Sequence, residues 1–149
     1  MSLDLLPALR DAVMDIGGVT AMLAQWKGEP AVFTRRPVPD DAIYPVAVIS
    51  RATSIDDFDG LTVRRPIATH QIAFYGNKGA PGSTEDHTRD VESMGFAARE
   101  HFHRNRFSLT PSGYSVVDVQ VRGPVDAPVD DDMKVGTAIT LQIRLGSTS

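Results

Sequence analysis

No cysteine occurs in the chain, which removes disulfides, iron–sulfur clusters, thiolate zinc sites and a cysteine nucleophile together. Long apolar runs are missing as well. None approaches the roughly 20 residues that span a bilayer, and the amino end lacks the basic-then-apolar layout of a signal peptide, so no membrane partner is expected. There is no basic excess: 15 Lys and Arg stand against 19 Asp and Glu, for a net charge of -4. That balance gives no general reason to bind nucleic acid specifically. Internal repeats and low-complexity tracts are absent too. Tryptophan occurs once, as Trp26, and is read as a core or interface anchor.

What is present is the composition of a folded chain. Hydrophobic residues make up 42% and charged ones 23%, too apolar for disorder. The 149 residues fit one domain, 1–149, large enough to bury roughly 68–70% of its unfolded surface.

Hydrophobic spacing supplies the elements. Leu5, Leu9, Ala12, Val13 and Ile16 recur at three and four residues, predicting a helix over Leu3–Ile16 that Gly17-Gly18 interrupts. A shorter helix is expected next, with Val19, Met22, Leu23 and Trp26 on one face, followed by an extended, proline-rich connector from Gly28 to Asp41. Tyr44–Thr53 reads as a strand with Pro45 at its start or on an edge. Val63–Tyr75 reads as a second, placing Ala68, His70, Ile72 and Phe74 on one face and Thr69, Gln71 and Tyr75 on the other. Gly76–Ser83 is a loop. Ser83 and Asp86 resemble a capping box, so a long helix should begin near Thr84, bury His87, Val91, Met94, Ala98 and Phe102, and end near Asn105. Val117, Val119 and Val121, then Ile139, Leu141, Ile143 and Leu145, alternate with polar residues as two half-buried strands. Gly123–Gly136 between them is a loop about twice the usual length, expected to be an assembly surface. The fold class is therefore α+β: an antiparallel sheet of about four strands with helices on one face and the other face wet or given to a partner.

The candidate chemistry is thin. Asp56-Asp57-Phe58-Asp59-Gly60 resembles a calcium loop only in part, since Ile55 and Pro66 occupy the positions that need acids; it is expected to be a hairpin tip. His101 and His103 stand two apart on a helix and point to different sides, whereas ligand pairs need spacings of three or four. His70 and His87 lie on apolar stripes and read as core or rim histidines. Ser50 and Ser112-Gly113 lack the context of a nucleophile elbow. Gly76, Gly79 and Gly82 match no phosphate-binding spacing. Asp130–Asp132 reads as a solvated acidic tip. No catalytic, cofactor-binding or metal-ligating residue is assigned, no cofactor is expected, and the chain is not expected to be an enzyme.

Tyr44-Pro45-Val46-Ala47-Val48 and Ile72-Ala73-Phe74-Tyr75-Gly76, set between an amino-terminal helix, a glycine-rich loop, a long helix and two closing strands, carry a resemblance. From about Leu5 to Leu145 the pattern resembles the tail terminator, or tail completion, proteins of long-tailed bacteriophages. The resemblance implies a homo-oligomeric ring, typically a hexamer. Such a ring caps the tail tube protein, ends its polymerisation and presents the surface that the head–tail connector joins, leaving an opening through which DNA passes. It implies a virion location at the head-proximal end of the tail after synthesis in the host cytoplasm, and brings no catalytic residues. Basic doublets Arg35-Arg36 and Arg64-Arg65 and acidic groups Asp40-Asp41, Asp56-Asp57-Asp59 and Asp130–Asp132 could oppose one another across a subunit boundary. Three alternatives stay open: a head–tail connector component or other minor virion protein, a small-ligand-binding α+β module, and a small metal-dependent hydrolase.

Overall fold

The computed structural model describes residues 4–35, 38–39, 41–52, 54–59, 64–79, 86–105, 107–111, 114–129 and 133–147, with the backbone alone for 54–59, 64–66 and 147. Helix α1 spans Leu6–Met14 and α2 spans Gly17–Thr20. Leu9, Ala12 and Val13 of α1 are buried; the break falls at Asp15-Ile16, just before the paired glycines, which open α2 and do not interrupt the chain between helices. The Asp4 carboxylate accepts the Leu6 N–H at 3.1 Å, satisfying one of the orphan amides of the first turn.

The second helix is shorter than its spacing suggests. Val19 and Leu23 are buried, but Trp26 belongs to a strand instead. Strand β1, Gln25–Trp26, pairs antiparallel with β2, Glu29–Pro30. Lys27 and Gly28 between them both have positive φ, 52° and 84°, the geometry of a two-residue hairpin turn. Trp26 then packs edge-on against Phe33, with ring centres 5.8 Å apart. The connector expected over Gly28–Asp41 thus holds two short strands, β2 and β3, the latter Val32–Phe33.

Strand β4 is Val46–Ile49, β5 is Ser54–Asp59 and β6 is Arg64–Asn77. Helix α3, Thr88–Phe102, leads to β7, Tyr114–Asp126, and β8, Lys134–Ser147. The large sheet has the order β3-β4-β6-β8-β7, with β5 also on β6. All pairs are antiparallel except β3 with β4. Strands β4 and β5 follow one another along the same edge of β6, on residues 72–75 and 64–69. The α+β class and the helices on one face are as expected, with β3 and β5 added to the four expected strands.

The core lies between that face and the helices. Ala47, Ile49, Ala68, Ile72, Phe74, Val119, Val121, Ile139, Leu141, Ile143 and Leu145 meet Leu9, Val13, Val91, Met94, Ala98 and Phe102. The opposite face is not left bare at the β4 end. Val46, Val48 and Ala31 form a second cluster with Trp26, Phe33, Tyr44 and Tyr75, so β4 is buried on both faces.

Three expectations about the carboxyl-terminal half need correction. Helix α3 starts at Thr88, four residues after Thr84, because the Asp86 carboxylate accepts both the Thr88 N–H at 3.2 Å and its hydroxyl at 2.7 Å. Ser83, the other half of the expected capping box, is outside the described residues. Val117 is 57% exposed: a register shift between Val116 and Asp118 turns it outward and leaves Val116 against the core. The loop expected over Gly123–Gly136 is mostly strand. β7 continues to Asp126, which pairs with Thr137, past a second irregularity between Arg122 and Val125. Gly123 sits there with φ 97°, and a side chain would meet the Ala138 carbonyl at 2.9 Å. Only 127–133 connect the strands, and Ala127 in that turn is buried.

The carboxyl end of α3 closes part of the outer edge of β7. The Arg104 N–H donates to the Val119 carbonyl at 2.7 Å. His103 Nδ1 accepts the Val121 N–H at 3.1 Å, and Arg99 Nη1 donates to the carbonyls of Val121, at 3.1 Å, and Gly123, at 2.6 Å. Helix backbone and side chains thereby replace a neighbouring strand.

Candidate assembly surfaces

The histidines serve structure, each in a different place. His70 is 3% exposed on β6, and its Nδ1–H donates to the Ser50 carbonyl at 2.9 Å. Ser50 in turn donates its N–H to the Gln71 carbonyl. Together these bonds hold the joint where β4 ends and the chain steps toward β5. Burial lowers the His70 pKa from its ordinary value, against smaller raising effects from the Ser50 hydrogen bond and the Asp4 charge. His87 Nδ1 accepts the Asn77 N–H at 2.9 Å, where Gly76 lets α3 approach, because a side chain there would collide with the His87 Cβ. His70 and Asn77 are seven residues apart on one strand, about 23 Å, so His70 and His87 do not share a site. His103 binds β7, and His101 stacks edge-on against Phe102. Among the described residues, no group of three or more His, Cys, Asp or Glu could hold a metal.

The acidic, serine and glycine candidates are dispersed in the same way. Asp56–Asp59 lie in β5, which pairs antiparallel with β6 and sets Asp59 opposite Arg64, so these acids belong to a strand and not to a tip; 60–63 are outside the described residues. Ser50 is the joint residue, Gly76 belongs to β6, and Gly82, Ser112, Gly113 and Asp130–Asp132 are outside the described residues, as are Arg36 and Asp40. The Asp86 carboxyl is held below its usual range by the Thr88 hydroxyl first and the Thr88 amide second. That is a helix-entry role.

The sheet order assembles a groove that the sequence does not advertise. Asp4, Leu6, Pro7 and Arg10 from the start of α1, Thr34 and Arg35 after β3, and Val48, Ile49, Ser50 and Arg51 around the end of β4 line an open cleft of about 980 Å³. Parallel pairing of Phe33 with Val48 sets Thr34 and Arg35 beside Ile49 and Ser50. Arg10 Nη2 lies 3.1 Å from Glu29 Oε2. Arg10, Arg35 and Arg51 stand against Asp4 in the lining and Glu29 on Arg10, which leaves the cleft a small basic excess. Arg35 stands out in the sequence as half of a doublet. Arg10 and Arg51 carry no such mark, because only tertiary pairing brings positions 10, 35 and 51 together.

The far end of the sheet has the opposite character. Val125, Val129 and Met133, at the β7–β8 turn, are 63%, 39% and 63% exposed. Residues 125–133 contain four aspartates and no basic residue. A second cleft, about 420 Å³, lies beside Phe107, Leu109, Thr110, Pro111, Tyr114, Ser115 and Val116. Among the described residues, no helix is long and apolar enough to cross a membrane.

No family model and no curated protein sequence matches the chain. Nine chains of solved structures do match in fold. One is a chain from the virion of a native gene transfer agent (GTA) particle. The similarity covers 98% of this chain and 100% of that one, with a TM-score of 0.68 and 16% sequence identity. This chain therefore shares its fold, end to end, with a component of that virion.

Proposed function

We propose that the chain is a non-enzymatic virion protein that forms a ring at the head-proximal end of a phage-like tail. There it caps the tube, ends tube polymerisation and offers the head-joining surface. The observation that carries this reading is the end-to-end fold match to a chain of the gene transfer agent virion. The tail-terminator pattern running from Leu5 to Leu145 supports the finer role. Its partners are further copies of itself, a tail tube protein and a head–tail connector, with DNA passing through the opening. The whole chain acts as one domain, needs no cofactor and works in the particle after synthesis in the host cytoplasm.

The test is native mass by light scattering, with negative-stain images, for the chain alone and mixed with tube protein. Closed rings of about six copies are expected, with binding to tube ends. A strict monomer at high concentration, with and without tube protein, refutes the reading. Rings that ignore the tube but bind the connector would favour the alternative of a head–tail connector component. A monomer that takes a small anion in the 980 Å³ groove would favour a ligand-binding module.

A further inference from the structure

Two strand edges stay open on opposite margins of the large sheet. Ile67, Ala68 and Thr69 of β6 each pair with β5 on one side and β8 on the other, and β7 follows β8. At this level β5 is therefore one margin of the sheet and β7 is the other. The two margins are also level with each other: Asp56, Ile67, Arg144 and Asp118 stand in one row across the four strands. On the same side of that row β5 runs on to Asp59, and β7 begins at Tyr114.

Each margin lacks a partner over this stretch. Among the described residues, β5 pairs with β6 alone. The seal from α3 reaches the outer edge of β7 only between Val119 and Gly123, and among the described residues nothing bonds that edge from Tyr114 to Asp118. An open cleft of about 420 Å³ lies beside Tyr114, Ser115 and Val116 instead. Phe107 in its lining and Val117, the next residue of the strand, are both exposed.

We propose that the outer edge of β5 pairs with the Tyr114–Asp118 edge of β7 in a second copy of this chain. This deepens the ring reading and rests on it. The strand sense fits. Three antiparallel steps lead from β5 through β6 and β8 to β7, so β5 and β7 run in opposite directions. A rotation about a ring axis keeps that sense, and β5 of one copy meets β7 of the next as an antiparallel pair. Main-chain hydrogen bonds supply the contact, and Phe107 and Val117 lose water beside it. Pairing over so short a stretch buries well under the roughly 1,200 Å² that a stable two-body interface needs. One such contact is weak alone. Closure gives every copy two of them and leaves neither edge open.

The backbone itself offers the test. The Ser50 N–H reaches the Gln71 carbonyl from the β4–β5 side, so Gln71 and, by alternation, Thr69 and Ile67 turn their backbone that way. Their partners in β5 turn inward, and Asp57, opposite Pro66, turns its amide and carbonyl outward. Asp57→Pro removes that outward N–H and spares the pairing with β6, while Asp57→Ala removes the same charge and keeps the N–H. With both variants folded by circular dichroism, rings of the proline variant should dissociate at a protein concentration at least about tenfold higher by native mass. The absence of native cysteine adds a second readout. In the double variant Asp57→Cys, Ser115→Cys, a bis-maleimide shorter than the three strand spacings from β5 to β7, about 14 Å, couples different copies and not one chain to itself. Denaturing gels should show a ladder of dimers, trimers and larger species, while either single variant stops at dimers. Rings that ignore the proline, or that give no ladder, overturn this contact and leave the ring standing. Complete dimers from Ser115→Cys alone mean that β7 pairs with β7, and overturn it too. A ladder from a chain that is monomeric by mass upholds the contact and overturns the ring. Neither ladder nor ring overturns both.

Discussion

Replacing His70 with leucine removes the donor that satisfies the Ser50 carbonyl while keeping an apolar side chain on the buried face of β6. A carbonyl deprived of its partner costs about 1–3 kcal/mol. The loss should fall in the lower half of that range, because Ser50 is half-buried and borders the open groove. The variant should therefore be less stable to urea by about 1–2 kcal/mol at pH 7.5. The second readout is pH. Burial lowers the folded-state pKa of His70 below the ordinary 6.5, so below pH 6.5 the unfolded chain binds the proton that the folded chain resists. The stability that neutral His70 secures is complete above 6.5 and declines as pH falls toward the folded value, with a slope of at most about 1.4 kcal/mol per pH unit. Urea midpoints at pH 7.5 and 5.5 should differ more for the parent than for His70→Leu. Equal stability at pH 7.5 would refute the role of the hydrogen bond. Identical pH dependence in the two proteins would refute the claim that His70 is held neutral.

Further measurements address the packing. Leu141→Ala should cost about 2–5 kcal/mol by denaturant unfolding, since Leu141 is fully buried. Val117→Ala should cost less than about 0.5 kcal/mol, and a loss above about 1 kcal/mol would put Val117 back in the core. Gly76→Ala should destabilise by about 1–3 kcal/mol, because the added methyl meets His87 and Val91 and pushes α3 from β6; unchanged thermal unfolding would show that α3 adjusts without strain.

The period-two strands are legible in the sequence because one face of β6, β7 and β8 meets helices and the other carries Thr, Gln and Arg. The stripe Val91, Met94, Ala98 and Phe102 is legible because α3 has a single buried side. Val117 is misassigned because alternation extrapolates through a bulge, and no local signal at Val116-Val117 marks the extra residue. The loop over 123–136 is overestimated for a related reason. Gly123 and Pro124 read as loop residues, yet Gly123 takes its left-handed conformation inside the strand, and pairing resumes at Val125. Strand β3 is two residues long among prolines and is held by β4 and α1, so nothing in its own sequence could announce it. The basic groove is illegible for the same reason, since it exists only where three separate segments converge.

The seal that α3 places along β7 limits how copies of this protein can join. A strand edge with free amides and carbonyls is a template that accepts another strand indefinitely, and each addition exposes the next edge. Between Val119 and Gly123 that row is already occupied by Arg99, His103 and the Arg104 amide. Neighbours arriving along that stretch therefore meet side chains, whose shape can fix an angle between subunits. An added strand there would prolong the sheet with no stopping point. The helix end thus acts as a stop against strand-on-strand fibre growth along this part of β7.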